Sequence, residues 1–157
     1  MDNDLNQNKE LKEVVVEVKR VSKKTKGGNT IRFSALVVVG DQKGKVGVGM
    51  AKALDVSSAV RKSVSSAKKK MITVPLKGTT IPYDVFEKYS AAKVLIKPAP
   101  KGSGIIAGGP VRVVLEKAGI KDAVAKILGS KNKTVNVYAA LNALKKIAKI
   151  SQSKNAI

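Results

Sequence analysis

The sequence predicts an α+β protein: a β-β-β-α unit followed by a second, two-layer α+β region. Three observations predict it. Apolar and polar residues alternate in three consecutive stretches between Lys12 and Ala51. An apolar stripe at helical spacing follows over residues 56–70. Beyond Lys77-Gly78 the order repeats, strands first and helices after.

In residues 12–20, Val14, Val16 and Val18 share one face, and Glu13, Val15, Glu17 and Lys19 the other, as in a half-buried strand. Residues 21–29 read as a loop with three lysines and the pair Gly27-Gly28. Residues 30–40 alternate again, with Ile31, Phe33, Ala35, Val37 and Val39 inward. Residues 41–44 form a tight turn. In residues 45–51, Val46, Val48 and Met50 face one way and Gly47 and Gly49 the other. Asp55 is a natural N-cap for a helix over 56–70, whose stripe is Val56, Ala59, Val60, Val64 and Ala67. Lys68, Lys69 and Lys70 fall in its last turn, where cations suit the helix dipole.

Residues 71–76 read as a short strand, and Lys77-Gly78 as a boundary. Strands over 79–85 and 89–97 follow, the latter ended by Pro98-Ala99-Pro100. Residues 102–109 are glycine-rich. Pro110 then suits a first helical position, and Gly119 closes a helix over 111–117. Residues 122–128 read as a short helix capped by Asp122 and ended by Gly129. A helix over 134–150 carries the stripe Val137, Tyr138, Leu141, Leu144, Ile147 and Ile150. This gives a mobile extension (1–10), two domains (11–77 and 78–150) and a short tail (151–157).

Charge points to the partner. The chain has 157 residues, 31 Lys+Arg against 11 Asp+Glu, and a net charge of +20. Each half carries net +10, which disfavours a neutral domain carrying one basic tail. Such charge self-repels unless a polyanion compensates it, and nucleic acid is the leading candidate. Lysine greatly outnumbers arginine, which occurs only at positions 20, 32, 61 and 112. That balance favours phosphate and shape recognition over base reading. The cations singled out are Lys19, Arg20, Lys23, Lys24, Lys26 and Arg32 around the first loop, with Gly27 and Gly28 letting its backbone approach a phosphate. Lys43 and Lys45 at the second turn, Lys52, and the helix residues Arg61, Lys62, Lys68, Lys69 and Lys70 join them.

Other chemistries are disfavoured. Cys and His are absent, which removes thiolates, the commonest general base and the commonest zinc ligand. Ser-x-x-Lys occurs five times, as chance gives in a lysine-rich chain, and no acids pair for acid–base work. Gly44-x-x-Gly47-x-Gly49 lies in a hairpin strand, and the 102–109 string sits in what reads as an antiparallel context. Neither fits a dinucleotide fingerprint, so no cofactor, metal or enzymatic activity is expected. Tyr83, Phe86 and Tyr89 cluster but read as core, like Phe33 and Tyr138, so base stacking is not expected. No apolar run reaches membrane-spanning length, and the polar N-terminus is unlike a secretory signal, so a cytoplasmic protein is expected.

Specific strings then carry a resemblance. They are Lys19-Arg20-Val21-Ser22-Lys23 with Lys26-Gly27-Gly28; Phe33 to Asp41 (FSALVVVGD); Gly44-Lys45-Val46-Gly47-Val48-Gly49; Lys52-Ala53; and above all Gly102-Ser103-Gly104-Ile105-Ile106-Ala107-Gly108-Gly109-Pro110-Val111-Arg112. Asn136 and residues 139–144 add a weaker match. The sequence resembles the bacterial form of the ribosomal small-subunit protein five family from about residue 13 to 144. The resemblance implies a double-stranded-RNA-binding-like first domain and a two-layer α+β second domain. It implies binding to 16S ribosomal RNA, with small-subunit proteins four and eight as neighbours and mRNA near the entry path. It implies roles in assembly and decoding accuracy, with residues 21–28 reaching the head–body region of the subunit. It implies that Arg112 lies at the interface with protein four, and the glycine-rich turn beside it, with Gly104, Gly108 and Gly109, reads as a surface packed against a protein neighbour. No membrane association or homo-oligomer is expected. The sequence departs from the family pattern at Val48 and Met50 (aromatics in relatives), at Ser90-Ala91-Ala92, and at Asn132-Lys133-Thr134. The alternative is a free-standing double-stranded-RNA-binding protein acting off the ribosome.

Overall fold

The computed structural model describes residues 11–155. The expected mobile extension over residues 1–10 lies outside the described residues.

Two four-stranded sheets organise the chain. The first comprises β1 (Lys12–Thr25), β2 (Gly28–Gly40), β3 (Lys45–Ala53) and β4 (Ile72–Thr73), in that order and antiparallel throughout. Helix α1 (Val56–Lys69) joins β3 to β4 and packs on one face. Asp55 caps it as expected: its carboxylate accepts the Ser58 N–H at 3.4 Å. That bond is the main cause holding the Asp55 carboxyl below its ordinary range. The stripe is corrected at its first residue, because Val56 precedes the covered turn and is exposed. Ala59, Val64 and Ala67 are buried, together with Ser63. The Ser63 hydroxyl donates across the layer to the Ala35 carbonyl at 2.8 Å, which satisfies it inside the core.

Strand β3 shows why its glycines matter. A Cβ on Gly49 would collide with the Ser63 carbonyl, and one on Gly47 with the Ala67 carbonyl. Two missing side chains thus let α1 lie directly on the strand. Val46 and Val48 point the other way, as expected, and are buried, whereas Met50 is exposed beyond the covered area.

The first sheet is buried on both faces. Ala35, Val37 and Val39 face α1. Leu36, Val38, Val46 and Val48 belong to a core shared with the second half of the chain. This is why β2 is continuously buried from Ser34 to Gly40 rather than alternating. Toward the tip neither partner reaches, so Ile31 is exposed instead of inward.

Two further expectations for β1 and β2 are corrected. Residues 21–29 are not an open loop: β1 and β2 remain paired to Thr25↔Gly28, leaving a two-residue turn. Glycine at 28 permits its φ of 125°. The Thr25 hydroxyl locks the turn by donating to the Gly28 carbonyl at 2.7 Å. Val18 is also not on the face of Val14 and Val16. A β-bulge between Val15 and Glu17 breaks the alternation, and Val18 instead pairs with Ala35.

The second sheet runs in the order β5 (Val85–Tyr89), β6 (Ala92–Pro98), β8 (Ala123–Ile127), β7 (Ile105–Ile106). Helices α2 (Gly109–Ala118) and α3 (Lys133–Asn155) cover one of its faces. Residues 79–84 form no strand, since Pro82 cannot donate to a ladder; only a Lys77–Thr80 bridge remains. The strand expected over 89–97 is instead half of a hairpin. Ser90, at φ 53°, turns the chain between Tyr89 and Ala92. The helix expected over 122–128 is β8, an inner strand, antiparallel to β6 and parallel to β7. Its alternating buried residues Ala123 and Ala125 fit a strand between two neighbours better than a helix. The sheet is therefore mixed rather than antiparallel. The Gly119 cap of α2 is as expected, at φ 94°. Helix α3 runs on through residues 151–155, which were expected as a tail. Among the described residues no helix is long and apolar enough to cross a membrane.

Candidate nucleic-acid interface

The cations singled out in the sequence fall into separate groups. Cross-strand partners share a face, so the register sorts the ribbon side chains. Lys19 (opposite Ser34), Lys23 (opposite Thr30) and Arg32 (opposite Val21) lie on the face turned toward the second half of the chain. Lys52, also opposite Ser34, joins them from β3. Val21, Lys23, Thr25, Thr30, Arg32 and Lys52 line a concavity of about 460 Å³ there. Arg20 and Lys24 lie on the opposite face, on the side of α1. Lys26 and Gly27 form the turn itself. A Cβ at Gly27 or Gly28 would meet nothing within 4 Å, so the tip presents bare backbone.

Helix α1 adds a second group. Arg61, Lys62 and Lys69 are exposed, with Lys70 just past its end. Lys68 differs: it pairs with Glu13 at 3.4 Å and is half-buried, so part of its charge is already compensated. Lys45 lies near it, lining the same groove as Lys68.

Lys43 belongs elsewhere. The β2–β3 turn docks on the end of α2, with the Gln42 N–H donating to the Lys117 carbonyl and the Gly44 N–H to that of Ala118. Lys43 therefore lines a concavity of about 650 Å³ with Gly104, Arg112, Glu116 and Lys121. This brings a candidate RNA contact beside two of the candidate protein contacts.

The glycine-rich string is held by a residue the sequence reading assigned to another task. Asp122 is buried, and its carboxylate accepts the N–H of Gly104 at 2.9 Å and of Gly102 at 3.2 Å. The Thr79 hydroxyl is the largest cause holding this carboxyl below its ordinary range, followed by those amides. Asp122 is thus a clamp on the turn and not a helix cap. Gly102 and Gly104 have φ of 93° and 70°, where other residues are strained. Gly108 comes close to Ile127, while Gly109 opens to space at the start of α2. Arg112 is exposed on α2 and pairs with Glu116 at 2.9 Å.

Two family models match this chain, and together they span almost all of it. Residues 11–75 match ribosomal protein S5, N-terminal domain, and residues 87–156 match ribosomal protein S5, C-terminal domain. The chain belongs to the ribosomal protein S5 family. It is a structural, non-enzymatic protein of the small ribosomal subunit and binds RNA as part of a ribonucleoprotein. The S5-type α+β architecture read from the sequence is the one observed.

Two residues escaped sequence reasoning. Asp122 could have been found only from its bonds to residues some twenty positions earlier. Phe86 was read as core. Tyr89 stacks on Tyr138 with centroids 5.5 Å apart, and Tyr83 lies beneath the Lys154 ammonium. Phe86 faces away from both and is 47% exposed. A strand alternates sides, so Phe86 and Tyr89, three residues apart in β5, lie on opposite faces.

Proposed function

We propose that this is a bacterial-type S5 protein that binds 16S ribosomal RNA, alongside small-subunit proteins four and eight. Its first domain, residues 11–77, would grip RNA through the β1–β2 ribbon and α1. Its second, residues 78–150, would meet protein through Gly104, Gly108, Gly109 and Arg112 beside α2. A contact of this kind between RNA and protein neighbours supports assembly, decoding accuracy and the mRNA entry path. One observation carries the reading: a narrow β-ribbon bearing six cations on two faces and at its tip, with bare glycine backbone at the end. A ribbon of this form reaches between RNA strands and neutralises phosphates on both sides.

The test uses the full chain and a 16S ribosomal RNA fragment. Each phosphate contact contributes roughly −0.7 to −0.9 to the slope of log K against log salt. Lys23→Glu/Lys24→Glu/Lys26→Glu is expected to make that slope shallower by about two units and to leave immature small subunits in a sucrose gradient. An unchanged slope with normal subunit profiles would sink the ribbon assignment. Sedimentation of the parent protein away from small subunits would instead favour an RNA binder acting off the ribosome.

A further inference from the structure

We propose that the open face of the second sheet is a separate RNA-contact surface, which takes an unpaired RNA segment by stacking a base on Phe86. This rests on the reading that the protein binds RNA, but not on the ribbon. The face is defined by register. Phe86 is opposite Leu95, which is opposite Lys126; Lys88 is opposite Lys93; Lys97 is opposite Val124, which is opposite Ile106. All eight side chains therefore point to one side. The other side, with Val85, Val94, Ile96, Ala123 and Ala125, is buried under the helices.

The open side has two properties that together suggest its occupant. An apolar band crosses it from edge to edge: Phe86 on β5 is 47% and Ile106 on β7 54% exposed, with Leu95 and Val124 on the inner strands partly so. Beside that band stand Lys88, Lys93, Lys97 and Lys126, all exposed, and none of the eight positions that the register places on this face is a carboxylate. The acid of β5, Glu87, points to the other face and lies 3.9 Å from Lys146. Lys88 directly opposite Lys93 is a like-charge pair, which weakens a sheet unless an anion sits over it. At the β7 edge α2 follows its N-cap Gly108, and no side chain caps its first amides.

Interfaces between proteins are depleted in lysine, so four lysines without an acid fit a protein partner poorly. They fit a phosphate chain. Exposed aromatics on a sheet face, flanked by cations, are how sheet surfaces hold unpaired nucleotides, and Phe86 offers one such stacking position on the edge strand β5. A duplex shields its base faces, so a double-stranded segment could not use Phe86.

The chain lacks Trp, so Phe86→Trp installs a lone tryptophan on this face, which can be excited apart from the three tyrosines. Titration of the full chain with a single-stranded oligouridylate is expected to quench it saturably. Phe86→Ala and Phe86→Leu are expected to weaken that binding about tenfold, as for the loss of one base stack. Neither should alter binding to duplex RNA. Lys93→Glu should weaken the single strand further. Absence of quenching, or equal loss of duplex binding in the Phe86 variants, would overturn the proposal. So would retained oligouridylate affinity in Phe86→Ala. The chain also lacks Cys, so Lys88→Cys can carry one photocrosslinker into intact small subunits. Crosslinks to RNA support the proposal; crosslinks only to a protein replace it with a protein interface. Loss of all RNA binding by the parent chain would instead refute the proposed function as a whole.

Discussion

The two sheets use similar materials in opposite ways. The first is buried on both faces at its base, between α1 and the shared core, so its cations are displaced onto a ribbon that outruns the core. The second is buried on one face only, and its cations stand on the sheet itself. The difference teaches that burial, rather than composition, decides how a uniformly basic chain offers its charge. One sheet offers an arm and the other a platform.

The sharpest way to break the contrast is at the glycines of β3, which allow double burial. Gly49→Ala drives a methyl into the Ser63 carbonyl, which belongs to a helix that cannot retreat without uncovering Val37 and Val39. The expected loss is about 3 kcal/mol in urea denaturation, at the upper end for overpacking. Gly27→Ala at the ribbon tip meets empty space and should change stability by less than about 0.5 kcal/mol. Equal effects at the two sites would refute the packing role assigned to β3.

Next is the shared core. Leu115 on α2 is fully buried in the cluster that also holds Val38 and Val48 of the first sheet. Leu115→Ala should cost about 3 kcal/mol. Because one cluster joins the two sheets, both should melt in a single shifted transition. Two separated transitions would show that the sheets are held independently.

A smaller effect belongs to Asp122. Its folded carboxyl titrates below the ordinary 3.8, so the charged form is the one the fold favours. Its stabilising contribution is therefore fully present above about that value and is lost as the pH falls through the lower folded value. Asp122→Asn should lower the unfolding midpoint at pH 7, with the difference from the parent shrinking in strong acid. It should also speed amide exchange at Gly102 and Gly104. Unchanged exchange there would remove Asp122 as the clamp.

The least effect is expected at the exposed Arg112–Glu116 pair, spaced one helical turn apart. Glu116→Gln should cost only about 0.3–0.5 kcal/mol. A stability change well beyond that would mean the pair does more than sit on the surface of α2.

What could be read without coordinates follows the range of the forces involved. The Asp55 cap, the Gly119 cap and the stripe of α1 from Ala59 onward are set by neighbours within a few residues, and they stand where local chemistry put them. The basic ribbon was legible as charge, but its continuation to Thr25↔Gly28 depends on pairing across a turn. Residues 122–128 read as helix because a short, Ala-rich apolar run has no decisive period. Only β6 and β7 on either side make it a strand. Phe86 was opaque for a related reason: the side to which a strand residue points follows from register, and Ser90 resets that register just beyond it.

The bulge at Val15/Glu17 and the two-residue turn at Lys26-Gly27 are one device seen at its two ends. Without the bulge, regular pairing from Lys12↔Gly40 would bring Lys24 opposite Gly28 and close the ribbon with three residues instead of two. Every side chain from Glu17 to the tip would then change sides. Lys19 and Lys23 would trade places with Arg20 and Lys24 while no residue was altered. The ribbon thus has a phase as well as a charge, and that phase gives each cation its address.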